Sequence, residues 1–404
     1  MRILVFNSGS SSLKFALVEV PERGPMRRLY DGAFEDAADG SGLLQLHSAA
    51  PIRPPDAPIR TPAQAADLVL SWLASVRLPG GDALADVAAS VHRIVHGADL
   101  FRASTRLGDA ELAALAQLNA LAPLHNPPAL SVIATVRARL GPQVPAIGVF
   151  DTAYYADLPP AAYRYAVPVH WAKELGVRRY GFHGIAHRYL CQAARGRLAS
   201  GVHSERVISL QLGRGCSVTA TRGERAIATS MGFTPLAGLV MGTRSGDVDP
   251  GALLYVMERT GMSAAQMRQA LNEESGLLGL SGSSADMRAL LAAEERGDAQ
   301  AALAIAVFCR GARHYVAAYL SELGGADLIV FGGGIGENCP TIRGRILSGL
   351  EWAGVQLDAQ ANACSGGVAA DIAAPASLAA IQVIPVDEAS VMAQEAAALL
   401  RAAH

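Results

Sequence analysis

A chain of 404 residues, 51% hydrophobic and 17% charged, is too rich in apolar residues to be intrinsically disordered, and its length exceeds what one core usually organises. Its formal net charge of −2 gives no electrostatic reason to expect nucleic acid as a partner. No apolar run reaches the roughly 18 residues of a membrane span, so neither a nucleic-acid nor a membrane partner is expected.

Residues 1–20 alternate like a strand instead of forming a signal peptide, which predicts a soluble, cytoplasmic protein. The cysteines at 191, 216, 309, 339 and 364 are odd in number and lack C-x-x-C spacing. They imply neither a disulfide framework nor a zinc site, and are expected as buried small hydrophobes.

The chain opens with a strand over 2–6, a hydroxyl-rich turn Asn7-Ser8-Gly9-Ser10-Ser11-Ser12, and a second strand over 13–20. Some two hundred residues later the layout recurs: a strand over 206–212, the turn Gly213-Arg214-Gly215, and a strand over 216–221. Such turns let backbone N–H groups and hydroxyls converge on an anion; an ordinary glycine-turn hairpin is the alternative for either one alone. Lys14 is one of only two lysines, with Lys173, in a chain that otherwise uses arginine, which fits a need for a slim ammonium in the first turn.

Residues 21–60 read as edge strands and surface loop. Thr61-Pro62 starts a helix with Ala65, Ala66, Val69, Leu70, Leu73 and Val76 on one face, ended by residues 78–81. A buried strand over 86–91 runs into His92-Arg93-Ile94-Val95-His96-Gly97. Helices near 109–121 and 127–140 flank the turn containing Leu124 and His125. A strand over 144–150 delivers Asp151 at its carboxyl end, where open α/β sheets hold ligands; capping the next helix is the other role for such a residue.

Arg178-Arg179-Tyr180-Gly181-Phe182-His183-Gly184 follows. His183 and His187 have the spacing of zinc ligands, but the glutamate of H-E-x-x-H is missing and no metal is expected there. Helix starts are expected at Asp249-Pro250, at Ser263 with Gln266, and at Ser283 with Asp286 ahead of Met287 and Arg288. A long helix covers about 298–323. The strand 327–331 enters Gly332-Gly333-Gly334-Ile335-Gly336-Glu337-Asn338, a phosphate-facing arrangement that is neither a Walker motif nor a nicotinamide fingerprint. A last strand over 381–385 leads to Asp387-Glu388 and a closing helix. Strand-end acids, glycine turns and isolated arginines suit phosphoryl transfer, which needs fixed cations and donors around the moving group and carboxylates for Mg²⁺.

These motifs, NSGSSSLKF, HRIVHG, LAPLHNP, FDTA, RRYGFHG, TSMGFTPL, GLVMGTRSGDVDP, SGLLGLSG, DMR and GGGIGEN, resemble the acetate kinases of the acetate and sugar kinase/actin-like ATPase superfamily nearly end to end. The resemblance implies an α/β protein of two domains with duplicated actin-like (ribonuclease H-like) βββαβαβα topology, an interdomain active-site cleft and a homodimer. The domains are expected at 1–150, with the closing helix 388–404 packing back on it, and 151–387. It implies reversible transfer of the ATP γ-phosphate to acetate, giving acetyl phosphate and ADP by direct in-line transfer. Mg²⁺ would assist, with Mn²⁺ as a substitute.

Carried over by motif, Arg93, His125, Asp151, His183 and Arg244 would be catalytic, with Asn7, Asp151 and Glu388 on the metal side. Ser10, Ser12 and Lys14 would support the Asn7 turn. Arg93, Val95, Leu124, Phe182 and Pro235 would bind the short carboxylate, although the apolar members also suit simple core packing. Lys14, Gly213, Arg214, Gly215, Asp286, Met287, Arg288, Gly332, Gly333, Gly334, Ile335, Gly336 and Asn338 would bind ATP or ADP.

Departures from the family pattern are Gln211 for His, Arg214 for Asn, Ala228 and Ala237 for acids, Ile185-Ala186 for Thr-Ser, and Tyr155 for His. The alternatives are a propionate or other short-chain carboxylate kinase and, in another class, a nucleotide-binding regulator that has lost its chemistry.

Overall fold

The computed structural model describes residues 1–9, 12–35, 43–47, 59–78, 81–198 and 204–402. Ser10, most of the expected loop between 36 and 58, and the expected helix stop at 79–80 lie outside them. The chain divides into two compact units, Met1–Ala156 with Asp387–His404, and Asp157–Val386.

In the first unit the strands are β1 (Arg2–Ser8), β2 (Ser12–Glu19), β3 (Arg27–Glu35) and β4 (Leu43–Leu46), then β5 (Arg77–Leu78) and β6 (Gly81–Asp82), a small separate ribbon, and β7 (Val87–Ile94), β8 (Thr105–Arg106) and β9 (Ala146–Phe150). Among the described residues the main sheet has the order β4-β3-β2-β1-β7-β9-β8. In the second unit β10 (Arg206–Leu212), β11 (Cys216–Arg222), β12 (Arg225–Thr229), β13 (Leu328–Gly332), β14 (Ala370–Asp371) and β15 (Ala380–Val383) take the order β12-β11-β10-β13-β15-β14.

The two sheets repeat one another in polarity as well as order. β1 runs antiparallel to β2 and parallel to β7, which is parallel to β9. β10 likewise runs antiparallel to β11 and parallel to β13, which is parallel to β15. Even the antiparallel edge strands β8 and β14 correspond. This is the duplicated α/β topology that the recurring hairpins predict.

The hairpins differ at their tips. In the first, Ser8 pairs with Leu13 and Gly9 N–H donates to Ser12 O; in the second, Leu212 pairs with Cys216 and Gly213 N–H donates to Gly215 O. The second turn is therefore one residue tighter.

Central strands buried on both faces explain the unbroken apolar run Ile3–Phe6, each residue at most 1% exposed. Thr61 caps the helix Pro62–Ser75 as expected, accepting from Gln64 N–H, and Ala65, Ala66, Val69, Leu70 and Leu73 form its buried stripe. The closing helix Glu388–Ala402 buries Val391, Met392, Ala396 and Ala397 and belongs to the first unit.

Asp249 and Ser263 cap their helices, the latter in a capping box with Gln266. The third expected start is corrected by one turn. Asp286 itself caps Met287–Glu295, accepting from Arg288 and Ala289 N–H, because Ser283 still belongs to the turn closed by Ser281. In the second unit the helix Gly184–Arg195 lays Leu190, Cys191 and Ala194 on Val207, Leu328, Val330 and Ile384. That packing fixes where its first residues sit.

Candidate active site

The first unit gathers Asn7, Arg93, Asp151 and Glu388 at the carboxyl ends of its parallel strands. Arg93 is the penultimate residue of β7, and Asp151 follows β9 directly. Arg93 Nη2 lies 2.7 Å from Asp151 Oδ2, and Nε lies 3.2 Å from both carboxylate oxygens. Its Nη1 donates to Asn7 Oδ1 at 3.1 Å, and Asn7 Nδ2 donates to Glu388 Oε2 at 2.6 Å. Burial alone would lower the Arg93 pKa, but the charges of Asp151 and Glu388 outweigh it and hold the guanidinium well above its usual range. Lys14 stands across from Asn7 in the β1–β2 ladder and is exposed.

Two further motifs brace this cluster. Asn126 accepts from His96 N–H at 3.3 Å and donates to His96 O at 3.0 Å, while Gly97 N–H donates to Thr152 Oγ1 at 3.0 Å. HRIVHG is thereby tied to LHNP on one side and FDTA on the other. Val95 is buried, His125 half-buried at the start of the helix Asn126–Leu140, and Leu124 43% exposed.

In the second unit His183 and Arg244 converge over the turn at the tip of the β10–β11 hairpin. A β-carbon on Gly215 would stand 3.3 Å from His183 Nε2, a tight contact, and 3.5 Å from Arg244 Nη1, an ordinary one, so both groups approach this α-carbon closely. His183 is left-handed (φ 57°) and heads the helix Gly184–Arg195, its ring held by a 2.9 Å contact from Nδ1 to Ser217 Oγ.

Arg244 Nη1 donates to Pro235 O at 3.2 Å, and its loop is laced to the hairpin by Gly242 N–H donating to Arg214 O. Phe182 is buried and Pro235 half-buried. Arg214 is exposed at the turn. Ala228 lies in the wall of a cavity of about 400 Å³ with Arg179, Thr229 and Tyr315.

The glycine run is a short helix, Gly333–Asn338, directly after β13. Gly333, at φ 76°, packs on the Leu212 backbone, where a β-carbon would come within 2.6 Å of Leu212 O. Its N–H donates to Glu337 Oε1 at 2.8 Å, and Asn338 Nδ2 donates to Gly334 O at 3.0 Å. Part of the expected phosphate-facing turn is thus closed on itself. Ile335 and Gly336 belong to the same short helix. Asp286 is engaged as a helix cap; its hydrogen bond from the Arg288 side chain is the main cause of a lowered carboxylate pKa. Met287 is buried.

Several supports escaped the sequence. Arg343, fully buried, donates to Gly336 O, Glu337 O, Asn362 O and Oδ1, and Ser365 O and Oγ, tying down the end of the glycine helix. Arg179 Nη1 donates to the carbonyls of Thr229, Ser230 and Met231, joining RRYGFHG to TSMG. Both arginines sit within or just past recognisable motifs, but only the folded chain shows which carbonyls they meet.

For Mg²⁺ the test is the donor set. Glu388 offers a carboxylate with one oxygen on Asn7 Nδ2, while Asn7 Oδ1 and both oxygens of Asp151, expected on the metal side, accept from Arg93. Among the described residues no group of three or more His, Cys, Asp or Glu could by itself hold a metal. The residues fit an ion that takes one protein carboxylate and completes its shell with water and phosphate oxygens, as Mg²⁺ does. His187, the expected non-ligand, has both ring nitrogens on serine hydroxyls. Of the cysteines, Cys191, Cys216, Cys309 and Cys339 are buried and Cys364 is exposed. No described helix is long and apolar enough to cross a membrane.

Residues 2–394 match the model of the Acetokinase family. An acetate kinase of Solibacter usitatus is 42% identical over 402 residues, covering 98% of this chain and 97% of its own. Among solved structures, the acetate kinase of Porphyromonas gingivalis superposes with a TM-score of 0.88 at 35% identity, covering 99% of both chains. A propionate kinase from Francisella tularensis superposes with the same TM-score and identity over 98% of each. With the matched motifs carrying the clusters just described, the chain belongs to the acetokinase family of carboxylate phosphotransferases.

Proposed function

We propose that the protein is an acetate kinase, transferring the γ-phosphate of ATP reversibly to acetate. Its family membership supports the reaction class, and one observation carries the assignment of residues: the Arg93 guanidinium, oriented by Asp151 and Asn7 beside Glu388. Arg93 is assigned to the substrate carboxylate, whose two oxygens match a guanidinium fork. Val95 and Leu124, with Phe182 and Pro235, are assigned to the acyl methyl group, and His125 to phosphate.

His183 and Arg244 are assigned to the phosphoryl oxygens. Donors already fixed over Gly215 need no reorganisation as charge shifts in the transition state. The 213–215 turn, with Lys14, Asp286, Met287, Arg288 and the 332–338 run, is assigned to ATP. Glu388 and Asn7 would hold Mg²⁺, which when bound neutralises phosphate charge; Asp151 acts through Arg93.

Purified protein with ATP, Mg²⁺ and acetate should yield acyl phosphate, trapped as the hydroxamate, and none without Mg²⁺. Absence of hydroxamate with acetate, propionate and butyrate, and with pyrophosphate as the alternative donor, would overturn the assignment. Propionate kinase is the second reading, favoured by the Francisella neighbour. One methylene in an apolar pocket discriminates by only ~1–3 kcal/mol, so kcat/KM across the three acids decides.

A cytoplasmic location and a dimer belong to the same proposal. Supporting the dimer, the helix Pro250–Thr260 exposes Leu254 and Tyr255 at 61% each. Leu254→Arg should shift the sedimentation coefficient from dimer to monomer.

A further inference from the structure

Four side chains of the second unit form a hydrogen-bonded row that ends at His183. Ser209 Oγ is 2.7 Å from His187 Nδ1, His187 Nε2 is 2.7 Å from Ser217 Oγ, and the same Oγ is 2.9 Å from His183 Nδ1. Ser209, His187 and Ser217 are all 0% exposed.

The row follows from the fold. His187 shares the buried stripe of its helix with Leu190, Cys191 and Ala194. Ser209 on β10 and Ser217 on β11 belong to strands paired in register, Gln211 opposite Ser217 and Ser209 opposite Thr219. A polar ring in such a stripe must find partners on the sheet or bear a large desolvation penalty. The proposed mechanism uses His183 but leaves His187 and both serines without a task.

Proton counting limits the row. A neutral imidazole has one N–H and one lone pair, and a serine hydroxyl has one proton to give. Burial keeps His187 neutral, its pKa pushed down to about 3. Arg244 Nη1, converging with His183 Nε2 over Gly215, disfavours a second positive charge on His183. Three orders satisfy all three contacts, but only the one with the protons directed toward His183 gives both buried hydroxyl protons an acceptor within the row: directed away, Ser209 O–H has none, and with both rings donating to Ser217, Ser217 O–H has none. Directed away, the row leaves a lone pair on His183 Nε2. Directed toward it, Ser209 O–H donates to His187 Nδ1, His187 Nε2–H to Ser217 Oγ, and Ser217 O–H to His183 Nδ1.

We infer that His187 is a positioning residue: through Ser217 it holds His183 as the neutral Nε2–H tautomer, so that His183 Nε2–H is offered to an anionic oxygen beside the Arg244 guanidinium. This deepens the proposed role of His183 and Arg244 and rests on it. A tautomer set by the partner of the other ring nitrogen is a general device for functional imidazoles.

The experiment is ¹⁵N NMR of the full chain labelled with ¹⁵N-histidine, the His183 signals being assigned by comparison with His183→Asn. His183 Nδ1 should appear unprotonated and Nε2 protonated near neutral pH. In Ser217→Ala the His183 signals should shift toward the other tautomer. The kcat should then fall on the order of 10- to 100-fold with KM for acetate unchanged, since Arg93 and the apolar residues assigned to acetate keep their side chains. Ser217→Thr, which keeps the hydroxyl, should restore both.

A protonated Nδ1 on wild-type His183, or a Ser217→Ala protein with unchanged tautomer and kcat, overturns the inference. With His183→Asn giving the assignment, the wild-type spectrum decides even if the Ser217 variants do not fold. Because it needs no turnover, a failed hydroxamate assay would sink the kinase reading without obscuring this one.

Discussion

Asp151 holds Arg93 from two sides, Oδ2 accepting from Nη2 at 2.7 Å and both oxygens accepting from Nε at 3.2 Å. The carboxylate is fully buried and the arginine side chain 17% exposed. Removing one partner of such a pair strands the other, at a cost of about 3–5 kcal/mol. Asp151→Ala should lower the urea midpoint accordingly and abolish turnover. Asp151→Asn, which keeps the shape, should fold but lose kcat/KM for acetate on the order of 100-fold. A fully active Asp151→Asn enzyme would show that the charge on Arg93's partner is irrelevant.

Arg244 is held by the Pro235 carbonyl and tests a different quantity. As a fixed cation it should contribute about 3–4 kcal/mol to the transition state. Arg244→Ala should therefore reduce kcat several hundredfold or more with little change in melting temperature. Near-normal turnover would remove it from the mechanism.

His92 stacks on Phe6 with ring centroids 5.6 Å apart, and burial pushes its pKa down to about 3 from 6.5. The unfolded chain takes up this proton below 6.5 while the fold excludes it until about 3. Stability from a neutral His92 is therefore fully present above 6.5 and is lost as pH falls toward 3, with His187 acting in the same direction. Each should add a slope of about 1.4 kcal/mol per pH unit within that window. His92→Leu should make the fall in unfolding free energy between about pH 6 and pH 4 shallower by that amount. An unchanged slope would contradict the buried neutral ring.

Arg343 is a cation without a carboxylate partner among its hydrogen bonds, donating to backbone and amide oxygens instead. Burial lowers its pKa to about 10, still charged at neutral pH. Arg343→Leu leaves several buried carbonyls unpaired, each costing about 1–3 kcal/mol. A loss of at least about 3 kcal/mol in urea titration is expected, and Arg343→Lys should recover part of it. A stable Leu variant would mean that water replaces the guanidinium.

Arg214 sits exposed at the turn where the motif resemblance implies asparagine. If it meets the donor's phosphates, Arg214→Asn should raise KM for ATP roughly tenfold, about 1.4 kcal/mol, and leave KM for acetate alone. Added salt should narrow the difference, because the contact is at the surface. Equal KM values for ATP would leave Arg214 without a role in donor binding.

The repeating hairpins, the helix caps at Thr61, Asp249 and Ser263, and the buried stripes were legible because each rests on spacing along the chain. The ordered motifs likewise carried the reaction class and named Asn7, Arg93, His183 and Arg244. What no spacing encodes is which side chain takes which partner once strands far apart in sequence lie side by side. Asp151, expected on the metal side, also accepts from Arg93 with both oxygens, and Glu337 closes the glycine turn from within. His187, set aside as a failed zinc ligand, meets two serines brought together by the β10–β11 register. Local periodicity thus determined the elements and their order. Tertiary structure decided the hydrogen-bond partners, because a buried polar group must bond to whatever the packing sets beside it.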